Sequence, residues 1–295
     1  MHLGEVELDD AVVRRLVDTQ FPEWASLPLE RVTSSGTVNV LYRLGRELVL
    51  RLPRVRADGV SDWASGTFER DVEWLPRLAE VLPVALPEPL AKGRPGDDYP
   101  AEWSVYAWLP GEHPDVERLE DPQGLARQLA AVIGALRRFD RAGAPASRRA
   151  YALEHYDEAT RAALALLERE LDSAAALVAW ERALSTSPWQ GPPVWVHGDL
   201  MPANLLLDGG RLVAVLDWEA AGLADPAVDL QPAWNLLPTE GRSVIREELE
   251  VDDDTWERGR GWALWTGIVA LPYYVETNPE LATNARFRIE QVLAG

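Results

Sequence analysis

Cysteine is absent from the 295 residues, which excludes a disulfide framework, a thiolate zinc site and thiol catalysis, and removes one reason to expect secretion. Long apolar runs are missing too. The longest, Gly261 to Val275, is too short to cross a bilayer and contains Pro272. Lysine is almost absent: Lys92 is the one lysine among 29 Lys plus Arg, a scarcity that bears on any site expected to use lysine. Positive charge as a whole is outnumbered, 29 basic residues against 48 acidic ones, for a net charge of −19. Such a chain repels phosphate backbones and anionic lipid, so neither nucleic acid nor a membrane is expected as a partner, whereas a cationic small molecule would be attracted. The opening residues Met1 to Glu7 lack the positive start and apolar core of a signal peptide. The cytoplasm is the expected compartment, with the chain a monomer or dimer.

What is present suffices for two modest lobes, since 295 residues exceed one minimal domain and a 47% hydrophobic content supports sizeable cores. Leu8, Val12, Val13, Leu16 and Val17 recur at helical spacing behind Asp9 and Asp10, which predicts an opening helix ended by Pro22. Val38 to Leu44 and Glu47 to Leu52 read as two strands across the turn Gly45-Arg46. Phe68 to Val81 is expected to be a helix with Phe68, Val72, Leu75 and Leu78 inward, followed by an extended passage imposed by Pro83, Pro87 and Pro89. Trp103 to Leu109 is strand-like, and the lobe boundary is expected at its end, giving lobes of residues 1–107 and 108–295. Beyond it Leu125, Leu129, Val132, Ile133 and Leu136 form a helical stripe, and Leu153 to Leu184 is a helical stretch. Leu205 to Leu207 and Leu212 to Leu216 flank Asp208-Gly209-Gly210, a strong hairpin signal, and helices resume from Thr239. The expected class is α+β, with a small β-rich first lobe and a larger helical second one.

The densest polar pattern runs from Val194 to Asp229. Asp199, in His197-Gly198-Asp199, is followed five positions later by Asn204 and, after the hairpin, by Asp217-Trp218-Glu219, the spacing of a kinase catalytic loop and its metal-binding aspartate. Phosphoryl transfer requires one carboxylate facing the acceptor hydroxyl, and hard oxygen ligands for Mg²⁺. Asp199 suits the first role, and Asp217 with Asn204 the second. Taken singly, these residues would be a turn around a buried histidine, a helix cap at Asp217 and a turn residue at Asn204. Their arrival in order favours chemistry. Asp225 and Asp229 are expected to be structural, bonding backbone near the loop.

His197-Gly198-Asp199-Leu200 with Asn204 resembles the hallmark of the aminoglycoside phosphotransferase family, including its macrolide-phosphorylating members. The likeness runs in outline from Ser34-Ser35-Gly36 to Asp229-Leu230 and is specific from His197 onward. It implies a bilobal protein-kinase-like fold and a small-molecule kinase moving the γ-phosphate of ATP or GTP to a hydroxyl. The same resemblance implies Asp199 as the base, His197 as a backbone-ordering residue and Mg²⁺ on Asn204 and Asp217. The nucleotide side departs from kinases. Ser35 and Gly36 lie in a turn whose N–H groups would bend over phosphates, but the triple-glycine loop is absent. Arg51, in Leu48 to Pro53, stands where kinases place lysine, and its guanidinium would fork to two phosphate oxygens. Asp71 is favoured over Glu73 and Glu69 to orient it. Tyr106 to Leu109, with Tyr106 and Trp108, is the expected purine hinge, and nothing in it separates adenine from guanine.

The acceptor is open between an antibiotic (aminoglycoside or macrolide) and a metabolite such as a sugar, amino alcohol or vitamin, and a nucleotide-binding module without catalysis is a further alternative. A protein kinase is the nearest rival, and Asp217-Trp218-Glu219 and the lack of room for an activation loop before Asp229 argue against it. Trp234, Trp262, Trp265, Tyr273 and Tyr274, with Glu240, Glu257 and Glu276, would suit a bulky cation. At helical spacing such aromatics are more often core than pocket.

Overall fold

A computed structural model of the chain describes residues 8–34, 38–56, 59–60, 66–168 and 170–295. The chain divides into two compact units: one holds the chain up to Glu80 together with Ala85–Pro110, the other Val81–Val84 together with Gly111–Gly295.

The first unit opens with helix α1 (Asp10–Gln20), started by Asp9, whose carboxylate accepts the Ala11 N–H at 3.1 Å. Strands β1 (Leu29–Val32), β2 (Asn39–Leu44) and β3 (Leu48–Pro53) follow, then a short pair, β4 (Val55–Arg56) and β5 (Gly59–Val60). Helix α2 (Thr67–Ala79) and strands β6 (Pro89–Gly93) and β7 (Trp103–Ala107) complete the unit. Five strands form one antiparallel sheet in the order β1-β2-β3-β7-β6. Alternation sends Val40, Tyr42 and Leu44 of β2 and Leu50 and Leu52 of β3 into a core shared with Val13, Leu16 and Val17 of α1.

Helix α2 forms as expected and turns Leu75 and Leu78 inward as read from the sequence, but Phe68 is half-buried and the rest of the buried face is shifted. Val72 is 49% exposed, and the buried positions are Thr67, Asp71, Trp74, Leu75 and Leu78. A carboxylate belongs to the buried stripe, so a pattern drawn from apolar residues alone rotates the helix. Pro76 sits inside the helix without ending it. The carbonyl that it deprives of a partner belongs to Val72, on the exposed face.

The second unit contains helices α3 (Pro122–Arg138), α4 (Asp157–Leu166) and α5 (Ser173–Leu184), then strands β8 (Val194–Val196), β9 (Leu205–Asp208), β10 (Arg211–Val215) and β11 (Gly222–Ala224). Helices α6 (Pro232–Asn235), α7 (Thr239–Glu248), α8 (Asp253–Thr277) and α9 (Pro279–Ala294) follow. The stretch Leu153 to Leu184 is thus two helices rather than one run, because Asp172 caps α5 by accepting the Ala175 N–H at 3.0 Å. Strands β8 and β11 pair antiparallel with three residues each, too short for a periodic signal in the sequence. The tryptophans expected around an acceptor are core: Trp234, Trp262 and Trp265 are all buried. Glu257 is buried and paired with Arg182 and Arg260, at 3.1 and 3.6 Å, while Glu240, Tyr273 and Glu276 are exposed. Among the described residues no helix is long and apolar enough to cross a membrane.

Candidate active site

Strand β8 runs directly into His197, and the next turn admits only glycine. Gly198 has φ +86°, and a Cβ there would meet the Ala220 carbonyl oxygen at 2.8 Å. Asp229 secures this corner from below, accepting the N–H groups of His197 and Gly198 at 2.7 and 2.8 Å. Its burial is complete and pushes the carboxyl pKa up, against the opposing pull of His197, the two N–H donors and Arg137. This is the structural role expected of Asp229. Asp225 instead accepts the Ala227 N–H at 2.9 Å and pairs with Arg258 at 2.7 Å.

His197 is fully buried, and both ring nitrogens are used. Its Nε2 lies 2.9 Å from the Leu216 carbonyl, which can only accept, so the proton is on Nε2. Nδ1 then accepts the Asp199 N–H at 3.2 Å. Trp218 packs edge-on against the imidazole at 4.7 Å and donates its own N–H to Val215 at 3.0 Å. The histidine therefore ties the half-buried Asp199 to the strand that leads into Asp217.

The hairpin supplies the second tie. Gly209 and Gly210, with φ +53° and +76°, form the tight turn for which the sequence was suited, and the β9–β10 pairing sets Leu205 opposite Val215. Asn204 and Leu216, one step further, are bonded: the Leu216 N–H donates to the Asn204 carbonyl at 2.8 Å. Asn204 gives its side-chain N–H groups to the Asp199 carbonyl at 2.9 Å and the Asp199 carboxylate at 3.2 Å. Asp217 has φ +59°, a left-handed backbone that few residues other than glycine adopt and that recurs at functional positions.

These residues fit Mg²⁺. With its amide nitrogen committed to Asp199, Asn204 has Oδ1 as its remaining donor, and Asp217 offers a half-exposed carboxylate. Among the described residues no cluster of three or more His, Cys, Asp or Glu exists to hold a metal in a protein cage. Two hard oxygen donors are nonetheless what Mg²⁺ takes when phosphates and waters complete its shell.

In the first unit the structure brings together Arg51, Asp71 and Tyr106. The Arg51 guanidinium lies over the Tyr106 ring, 5.4 Å from its centroid, and the Tyr106 hydroxyl donates to Asp71 at 2.9 Å. Burial, reinforced by the Asp71 charge and opposed by Arg51, pushes the Tyr106 hydroxyl pKa up. Glu73 is exposed, and Glu69 pairs with Lys92 on the surface, so Asp71 is the carboxylate of α2 that shares Arg51's surroundings. Lys92 also pairs with Glu102 at 2.7 Å. Trp108 carries the Arg43 guanidinium 4.5 Å over its ring. The N–H groups of Ala107 and Trp108 donate to Glu88 and Glu47 at 3.0 and 2.7 Å, so both are committed to the protein's own backbone. Ser35 and Gly36 lie outside the described residues.

Sequence reasoning did not single out Gln231, Asn235, Thr266, Asn284 or Arg288, whose polar atoms lie behind the catalytic loop. Asn235 donates to the Leu200 carbonyl at 2.7 Å. The one signal in the sequence is polarity inside otherwise apolar helical segments.

Residues 30–262 match the model of the phosphotransferase enzyme family, APH. An aminoglycoside 3′-phosphotransferase of Streptomyces fradiae is 30% identical over 220 residues, 69% of this chain and 71% of that one. Among solved structures, the GDP and kanamycin complex of APH(2″)-IIia superposes with a TM-score of 0.70 at 18% identity, covering 96% of this chain and 98% of that one. A macrolide 2′-phosphotransferase type I gives 0.63 at 21% identity, covering 96% and 98%. At these identities the likeness to the solved structures is one of fold, the kinase-like α+β fold that the resemblance implied.

Proposed function

The chain belongs to the phosphotransferase enzyme family, and on that premise we propose that it moves the γ-phosphate of ATP or GTP to a hydroxyl of a small-molecule acceptor. The observation that carries this reading is the bonding of Asp199, Asn204 and Leu216 into one unit, which keeps a candidate base and two candidate metal ligands in fixed relation. The acceptor oxygen attacks the γ-phosphorus, the bond from that phosphorus to the bridging oxygen breaks, and the hydroxyl proton passes to the Asp199 carboxylate. Asn204 holds that carboxylate while His197 fixes its backbone. Asn204 Oδ1 and Asp217 would hold Mg²⁺, which when bound neutralises charge on the phosphates. Arg51, set by Tyr106 and Asp71, supplies the cation for the α and β phosphates. The reaction belongs in the cytoplasm, where nucleoside triphosphates are found.

For the acceptor, the names of the relatives support an antibiotic, aminoglycoside or macrolide, and the net charge of −19 suits a cationic one. Such an activity would make the protein a resistance enzyme. A metabolic acceptor, a sugar, amino alcohol or vitamin, keeps every catalytic residue. One observation favours it: the tryptophans that would have lined a drug pocket are core, and Glu257 is occupied by arginines. The test is a panel of both drug classes, sugars and amino alcohols with Mg²⁺ and ATP or GTP, following diphosphate release and the mass gain of one phosphate. Turnover of drugs alone supports the first reading, and turnover of a metabolite alone replaces it. Mg²⁺-nucleotide binding with no turnover of any acceptor would overturn catalysis altogether.

A further inference from the structure

Arg288, on α9, is a buried cation that the reaction above does not use. It is 4% exposed, and its Nε has no hydrogen-bond partner. Its two terminal nitrogens donate to neutral groups, the Thr266 hydroxyl and, at 3.0 Å, Asn284 Oδ1. Burying a guanidinium without a salt bridge is costly, so its persistence calls for a compensating role. Burial pulls its pKa down to about 10; the carboxylate that opposes this pull through space is Asp199, and the Arg149 charge adds to it.

Both neutral partners lead to the catalytic loop. The Thr266 hydroxyl shares its one proton among Gln231 Oε1 at 3.1 Å and the Trp262 and Ala263 carbonyls at 3.0 and 3.1 Å, and Gln231 Nε2 reaches the Gly198 carbonyl at a long 3.5 Å while donating to the Val228 carbonyl at 3.0 Å. Asn284 donates to the Asn235 carbonyl at 3.3 Å, and the Asn235 side chain donates to the Leu200 carbonyl at 2.7 Å. The two chains of bonds end on the carbonyls either side of Asp199.

We propose that Arg288 is a positioning residue for phosphoryl transfer, which from α9 holds the carbonyls flanking Asp199 through Thr266–Gln231 and Asn284–Asn235. The proposal rests on the reading of Asp199 as the base. Arg288 touches neither substrate nor nucleotide in this role, so its loss reduces turnover without reducing affinity.

The test joins kinetics, on the acceptor that the panel identifies, to amide hydrogen exchange of residues 197–204 measured by mass spectrometry. Arg288→Met is expected to lower kcat about 10- to 100-fold, the scale of a small misplacement of a catalytic group. Both KM values should stay within about threefold of the parent. Loop exchange is expected to accelerate about tenfold or more as local opening becomes easier. Arg288→Lys, which keeps the charge and one bonding arm, should recover part of kcat. Thr266→Val, which leaves Arg288 in place and preserves shape, should show a smaller loss of the same kind and serves if Arg288→Met does not fold. Unchanged loop exchange, or a raised KM with kcat intact, in a folded variant overturns the proposal. Faster exchange in a chain whose Asp199→Asn variant turns over normally would sink the reading of Asp199 as base, and not the hold of Arg288 on its loop.

Discussion

The catalytic loop and the trio of Arg51, Asp71 and Tyr106 lie in different compact units and are held by different kinds of bond. Around Asp199 the fixing is by main chain: the N–H groups of His197, Gly198 and Asp199, the carbonyl of Asn204 and both peptide groups of Leu216 are all bonded. In the trio the contacts run between side chains, guanidinium over ring and hydroxyl to carboxylate. On the proposed roles, a proton acceptor must stand in one place relative to a reacting atom, and bonded peptide groups provide that rigidity. The grip on phosphates proposed for Arg51 would tolerate the looser geometry of long side chains.

If that division is sound, substitutions in the two regions should separate into effects on turnover and effects on affinity. The largest effect is expected from Asp199→Asn, which should cut kcat by about two orders of magnitude or more as the base is lost, with nucleotide Kd within about twofold. Steady-state kinetics beside calorimetry would show it, and near-normal turnover would remove Asp199 from the role. Asp217→Ala comes next. Mg²⁺-dependent nucleotide binding should weaken about tenfold or more as charge neutralisation is lost, with Asn204→Ala milder. Calorimetry with Mg²⁺ present and chelated measures this, and equal binding in both conditions for parent and variant would refute the metal site.

Within the trio, Arg51→Ala should raise nucleotide KM about tenfold with a lesser change in kcat, and Arg51→Lys should fall between, since charge counts first and fork geometry second. Equal, small effects from both would place Arg51 on an idle surface. The smallest contrast sharpens the assignment on α2. Asp71→Ala should raise nucleotide KM by a few fold, roughly the loss of one oriented contact, while Glu73→Ala stays within about twofold of the parent. A larger effect at Glu73 would reverse the choice made from burial.

The legibility of these regions follows the same division. Asp199 and Asn204 are bonded across five residues, and the turn between β9 and β10 is specified by two glycines with positive φ that return the chain from Asn204 to Leu216, so the spacing of Asp199, Asn204 and Asp217 was legible in the sequence. Asp71 was harder to assign, because its place on the buried face of α2 is settled by packing and not by an apolar repeat; Val72, apolar and exposed, misleads in the opposite direction. Strands β8 and β11 gain their identity from each other. The acceptor side fared worst: tryptophans at helical spacing carry the same signature whether they face a ligand or a core, and here three of them face the core. Arg288 had no distinguishing local signal: of its two partners Asn284 is one turn back on α9 and Thr266 is on α8, and the onward bonds to the loop run through Gln231 and Asn235, more than 30 positions away from Thr266 and Asn284 in sequence.

The polar chains that reach the loop from α9 also set an order of events during synthesis. Asn204 ends the loop and Arg288 lies 84 positions later. A ribosome adding roughly 5–20 residues per second delivers the brace on the order of 4 to 17 s after the loop it supports. Until then the nascent chain has the Asp199 carboxylate without the helix behind it. If Arg288 braces the loop as proposed, full turnover in translation awaits the emergence of α9 and not the completion of the motif.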